Sequence, residues 1–167
     1  IELQPRFAAA HNMLGYVLSH EAGEFERGAA YIRHALELAP ADPDVRCNYS
    51  SVLAQEGRAA EALAICDELL AAHPAMHEAR LNRSLAALKL GRFDEAWPDY
   101  EARKVVRGNY VPRALPLPEW QGESPRGRKL LVYAEQGLGD QIMFASCLPD
   151  LLPQVAACMI ECAPQLV

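Results

Sequence analysis

Apolar residues recur three and four positions apart through the first hundred residues, as in Leu14 with Leu18 and Tyr49 with Leu53. That period puts them on one face of a helix. Proline and glycine break the pattern at regular intervals, at Pro40, Gly57, Pro74 and Gly91. The pattern predicts helices near 8–21, 25–38, 43–56, 59–72, 77–90 and 93–106. Pro98 falls inside the last one and must sit in its first turns or bend it. After residue 128 the pattern changes. A short apolar run predicts a strand at 129–135, then a helix from about 139 to 152, and a second strand at about 156–162. Residues 163–167 read as the start of another helix. The predicted fold is mainly α, a helix-turn-helix array ahead of a truncated β-α-β unit.

The helices repeat in pairs. Pro40 and Pro74 lie 34 apart, as do Gly57 and Gly91, Ala62 and Ala96, and Asn48 and Asn82. An earlier unit keeps Leu14, Gly15, Phe25, Ala35 and Pro40, but Pro5 and Pro40 are 35 apart, which places one extra residue near Ala22 and Gly23. Small residues at Gly15, Ser50 and Ser84, and at Gly28, Ala62 and Ala96, allow the two helices of a unit to approach closely. Larger ones (Leu14, Leu18, Tyr49, Leu53, Phe25 and Phe93) are expected between helices. Gly57 and Gly91 stand where the chain leaves a helix in a left-handed turn.

This pattern resembles the tetratricopeptide repeat over residues 1–106, about three units of a superhelical array. Ile1–Pro5 reads as the tail of a preceding unit, so the chain is expected to begin within a longer protein. The resemblance implies a concave groove faced by the first helix of each unit, with Asn12, Tyr16, Asn48, Ser51, Gln55, Asn82, Leu85 and Lys89 as ligand-binding residues. His20, Asp44, Cys47, Glu78 and Leu81 share that face. A protein or peptide is the implied partner. Asn48 and Asn82 resemble the ladder that grips peptide backbone in the repeat region of O-GlcNAc transferase; an amide both donates and accepts. The alternative is that the two asparagines support neighbouring helix turns.

Residues 107–128 are rich in proline and glycine and read as a linker, with Trp120 expected to pack onto the last repeat or the first strand. The remaining segment, 129–167, places Gly137, Leu138 and Gly139 between a strand and a helix, where backbone N–H groups can hold an anion. The spacing GxGxxG is absent, because Ile142 follows Gly139 by three.

The order of repeat array, Pro118-Glu119-Trp120-Gln121-Gly122 linker and the strand running into Gly139-Asp140 resembles bacterial tetratricopeptide proteins with a C-terminal glycosyltransferase region. That region is similar to the lipopolysaccharide heptosyltransferases, which have two Rossmann-like domains in the GT-B arrangement. The resemblance implies that Asp140 is a catalytic base on an acceptor hydroxyl. Read from the residues alone, Asp140 is a helix N-cap. With residues 129–167 too short for the donor-binding half, the chain is expected to be inactive as a transferase by itself. Its open sheet edges and apolar helix faces lead us to expect a homodimer.

Composition narrows the partners. The net charge is −6, and residues 1–106 carry 11 Lys/Arg against 16 Asp/Glu, which argues against nucleic acid. Arg103, Lys104, Arg107, Arg113, Arg126 and Arg128 cluster around the linker and read as a solvated helix end and loop, with an anion site as the alternative. No apolar run reaches the length of a membrane span. Five cysteines without a CxxC pair, and five histidines without ligand spacing, point to reduced thiols in the cytoplasm and to no metal or cofactor.

Overall fold

The computed structural model describes residues 4–20, 23–106, 115–135 and 137–167. The expected insertion at Ala22, linker residues Arg107, Gly108, Pro112 and Arg113, and turn residue Gln136 lie outside the described residues. The chain divides into two compact units, Ile1–Asn109 and Tyr110–Val167.

The described residues of the first unit form six α-helices in three antiparallel pairs: α1 Ala8–His20 with α2 Phe25–Leu38, α3 Pro43–Gln55 with α4 Ala59–Ala72, and α5 His77–Lys89 with α6 Phe93–Tyr100. Asp42 caps α3, accepting from the N–H groups of Asp44 (2.9 Å) and Val45 (3.1 Å), with Pro43 at the first helical position. The turns inside the second and third pairs are alike. Gly57 and Gly91 have φ of 83° and 73°, and the next N–H reaches back five residues, Arg58 to Leu53 O and Arg92 to Ala87 O, each 2.9 Å. In the first pair the matching bond, Glu24 N–H to Leu18 O at 2.9 Å, spans six residues, so the extra residue lies in this turn.

Close approach is strictest in the first pair. A Cβ on Gly15 would lie 2.8 Å from Gly28 O, and one on Gly28 would lie 2.5 Å from Gly15 O. Ser50, Ala62, Ser84 and Ala96 are all buried at the matching positions. Leu53, Ala54, Ala62, Leu63, Ala86, Ala87 and Ala96 form one core cluster, and Ala29, Ile32 and Val52 form another. Tyr49 packs against both, which makes the core continuous between repeats. Phe93 departs from the expectation. It is 55% exposed, on the last full helix among the described residues of this unit. Helix α6 also stops early, at Tyr100, and tightens into a 3₁₀ turn over Glu101–Lys104. Pro98 has no N–H to give to the preceding turn, which explains the weakened end.

The second unit contains β1 Lys129–Tyr133 and β2 Ala157–Glu161, paired in parallel from Lys129 opposite Ala157 to Tyr133 opposite Glu161. Between them run α7 Leu138–Ala145 and the short α8 Leu148–Leu151, which passes into a 3₁₀ turn over Leu152–Gln154. The single helix expected over 139–152 is therefore broken at Ser146 and Cys147. Pro149 cannot bond back to Ala145, which ends the first segment. Pro164–Leu166 form a 3₁₀ turn. Described residues 115–128 contain neither helix nor strand, and Trp120 is largely exposed, its indole N–H donating to Glu123 O within its own loop at 2.6 Å. A two-stranded parallel sheet with its helix is what stands here, a smaller structure than a Rossmann-like domain.

Candidate functional site

Helices α1, α3 and α5 present a repeated stripe. Spacings of four, three and four residues give Ala9-Met13-Tyr16-His20, Asp44-Asn48-Ser51-Gln55 and Glu78-Asn82-Leu85-Lys89. Tyr16 and Leu85 stand 40% and 41% exposed on it. Tyr16 and His20 stack with ring centroids 4.5 Å apart. His20 Nδ1 lies 3.1 Å from Tyr16 O, which can only accept, so Nδ1 carries a proton in this contact. Its Nε2 then accepts from Ser51 Oγ at 3.4 Å, while Gln55 Nε2 donates to Ser51 Oγ at 3.4 Å. Lys89 Nζ reaches Ala54 O, one repeat back, at 2.8 Å. The stripe is thus a connected polar surface at one end and open side chains in the middle.

The asparagines hold the repeats together. Asn48 Nδ2 donates to Asn12 Oδ1 at 3.0 Å, and Asn82 Nδ2 donates to Cys47 O at 3.0 Å and Ser50 Oγ at 3.2 Å. Asn12 is buried beneath the stripe, and its place in the exposed row belongs to Met13. The 35-residue offset of the first unit carried that signal: it aligns Met13, not Asn12, with Asn48 and Asn82. Cys47 is buried under the groove. Burial pushes its thiol up to about 12, helped by Cys66, Glu78 and Asp44. Burial raises Cys66 as well. Neither thiol is a nucleophile at neutral pH.

Behind the groove Arg83 bridges Asp99 (Nε to Oδ2, 2.5 Å) and Asp67 (Nη1 to Oδ1, 3.2 Å). No sequence signal marked this. The matching residues of the preceding unit are Tyr49, Ile65 and Arg33, with no pairing pattern to repeat. His11 and His34 meet edge to face at 4.6 Å, and His11 Nε2 donates to Pro5 O at 2.7 Å. Among the described residues no group of His, Cys, Asp and Glu is arranged to hold a metal ion.

In the second unit Gly137 caps α7, and Leu138 and Gly139 are its first two residues. Asp140 is the third residue of that helix and not its cap. Its Oδ2 lies 3.6 Å from where a Cβ on Gly137 would be, so the carboxylate leans back over the positive helix start. That position stabilises the helix and opposes an external anion. Gln141 Oε1 accepts from Ala163 N–H at 2.9 Å, tying α7 to the chain after β2.

Three helix pairs in register, sharing one core and one open stripe, define an α-helical repeat protein. The chain belongs to the tetratricopeptide repeat family, whose model matches residues 20–76 and again 53–105. It is 32% identical over 152 residues to protein FlbA of Caulobacter vibrioides, a span of 89% of this chain and 25% of FlbA. The match is longer than the first unit, so the likeness runs into the second. The chain spans about a quarter of the length of that relative. Among solved structures it is similar to the second tetratricopeptide domain of Spaghetti (RPAP3), described as bound to the HSP90 peptide SRMEEVD. That likeness has a TM-score of 0.50 at 19% identity over 60% of this chain and 86% of the other, and it establishes the fold alone. Among the described residues no helix is long and apolar enough to cross a membrane.

Proposed function

We propose that the repeat array is a protein-interaction module that holds a peptide or protein segment along the stripe of α1, α3 and α5. The observation that carries this reading is the exposure of Tyr16 and Leu85 on one face at opposite ends of a three-repeat row, with Ser51 between them. The peptide held by the solved relative supports it by analogy. Ser51, Gln55 and Lys89 supply polar contacts, and Asn48 and Asn82 offer their Oδ1 atoms, their Nδ2 groups being engaged between repeats. Asn12 acts from below as the support of Asn48. A photo-crosslinking residue at Leu85 should capture a partner that the same residue at Ala64, exposed on α4, does not. Equal capture at both positions would remove the groove from the account.

A second reading concerns residues 129–167. The parallel pairing of β1 and β2 around α7 supports a unit that opens a GT-B glycosyltransferase region, with Asp140 as the base on an acceptor hydroxyl. The two strands among the described residues provide no donor-binding half, so the 167-residue chain is expected to turn over no nucleotide-sugar. Measured turnover by the purified chain would overturn this. Ile142, Met143, Phe144, Met159 and Ile160 are exposed in this unit and suit burial against a second copy; a light-scattering mass of the monomer would remove the homodimer. The free state of Cys47 and Cys66 fits a reducing, cytoplasmic setting.

A further inference from the structure

The groove is not electrically uniform along its helices. Its first row is Ala9, Asp44 and Glu78, at the N-terminal ends of α1, α3 and α5, and its last row is His20, Gln55 and Lys89. Asp44 and Glu78 are exposed, one repeat apart, and sit on the same stripe as Ser51 and Leu85. Five arginines of the array are committed elsewhere. Arg33 pairs with Glu56, Arg46 with Glu68, Arg58 with Glu61, and Arg80 and Arg83 with Asp99. Among the described residues no Lys or Arg pairs with Asp44 or Glu78. The wider surface has the same sign, with 16 Asp/Glu against 11 Lys/Arg over residues 1–106.

Resting on the groove reading above, we propose that the occupant of this groove is a basic peptide segment whose Lys or Arg side chains lie across Asp44 and Glu78. Two exposed carboxylates with no cation of their own lower the energy of a positive side chain placed over them, and an acidic segment is repelled there. The polarity of the groove also sets direction. Lys89 at the far end carries the opposite charge to Asp44 and Glu78, so the basic residues of the ligand belong at the Asp44 and Glu78 end. This selects against ligands of the acidic kind held by the solved relative.

The test is selection from a displayed library of random peptides on the whole chain, followed by affinity measurements on the enriched sequences as synthetic peptides. The expected enrichment is in Lys and Arg, with binding weakened by added salt. Asp44→Asn with Glu78→Gln should abolish the bias and weaken the basic peptides about two- to fivefold per carboxylate. Either substitution alone serves if the double variant unfolds, since both side chains are exposed. Enrichment of neutral or acidic peptides, or an unchanged bias in the variants, overturns the inference and leaves the groove standing. No enrichment at all overturns both.

Discussion

Asn82 donates its side-chain amide to the main-chain carbonyl of Cys47 at 3.0 Å, from the first helix of one repeat to the first helix of the repeat before it. Asn48 performs the equivalent task one unit earlier, on Asn12 Oδ1. A residue type that suggested peptide recognition is used to set the step between repeats. The row of open side chains beside it stays in phase because of that step.

The two bonds differ in what a truncation leaves behind. Asn48→Ala removes a hydrogen-bond donor from Oδ1 of buried Asn12. Asn82→Ala removes a donor from Cys47 O and Ser50 Oγ, and Ser50 retains its own bond to Cys47 O. Urea unfolding should show a loss of about 1–3 kcal/mol for Asn48→Ala and about 0.5–1.5 kcal/mol for Asn82→Ala. The reverse order would mean that Asn12 finds water in the variant.

The glycines separate into two kinds. A Cβ at Gly28 would meet Gly15 O at 2.5 Å and Ser19 N at 2.6 Å, both backbone atoms, so α1 and α2 must part. Gly57 has open space around it, and only its φ of 83° opposes a side chain. Gly28→Ala should cost about 3 kcal/mol or more and Gly57→Ala about 1 kcal/mol, read as shifts in unfolding midpoint. Equal costs would show that the first helix pair relaxes freely.

Much of the first unit was legible in the sequence, because helix period, turn glycines and small contact residues all repeat with one spacing. Five of the six predicted helices end within one residue of the observed ends. The sixth was overextended because Pro98 competes with a strong apolar pattern. Site residues were harder to read. The face expected to line the groove mixes exposed residues with buried ones such as Asn12 and Cys47, and Asn12 and Met13 are neighbours that only the offset of the first unit separates. The Arg83 to Asp99 pair was invisible, since charged residues 16 apart on different helices follow no period.

Asp99 is 5% exposed and its carboxylate is held by Arg83, with Arg80 Nη1 at 3.9 Å as a second, weaker neighbour. Arg83→Met should destabilise the array by about 2–4 kcal/mol, because it leaves a buried charge nearly unpaired. Adding Asp99→Asn should recover part of that loss in a double-mutant cycle. No recovery would show that Arg83 contributes through its packing alone.

The Cys47 thiol ionises at about 12 in the folded array, against 9.0 for an ordinary cysteine, chiefly because burial penalises the thiolate. A pKa raised on folding means that the unfolded chain loses its proton first. The folded state then binds more protons between the two values, and stability falls as pH rises. Below pH 9 the contribution of this group is intact; between pH 9 and about 12 it is lost, with a slope of up to about 1.4 kcal/mol per pH unit. Cys66, raised in the same direction by its own burial, adds to the loss. Cys47→Ala should therefore flatten the decline of stability measured by urea unfolding from pH 8 upward, whatever it costs at neutral pH through lost packing. In the native protein exposed Cys147 should react with a thiol reagent at once, and Cys47 and Cys66 only on unfolding. Rapid modification of Cys47 in the folded array would show that the groove floor opens, and the alkaline slope would then be absent.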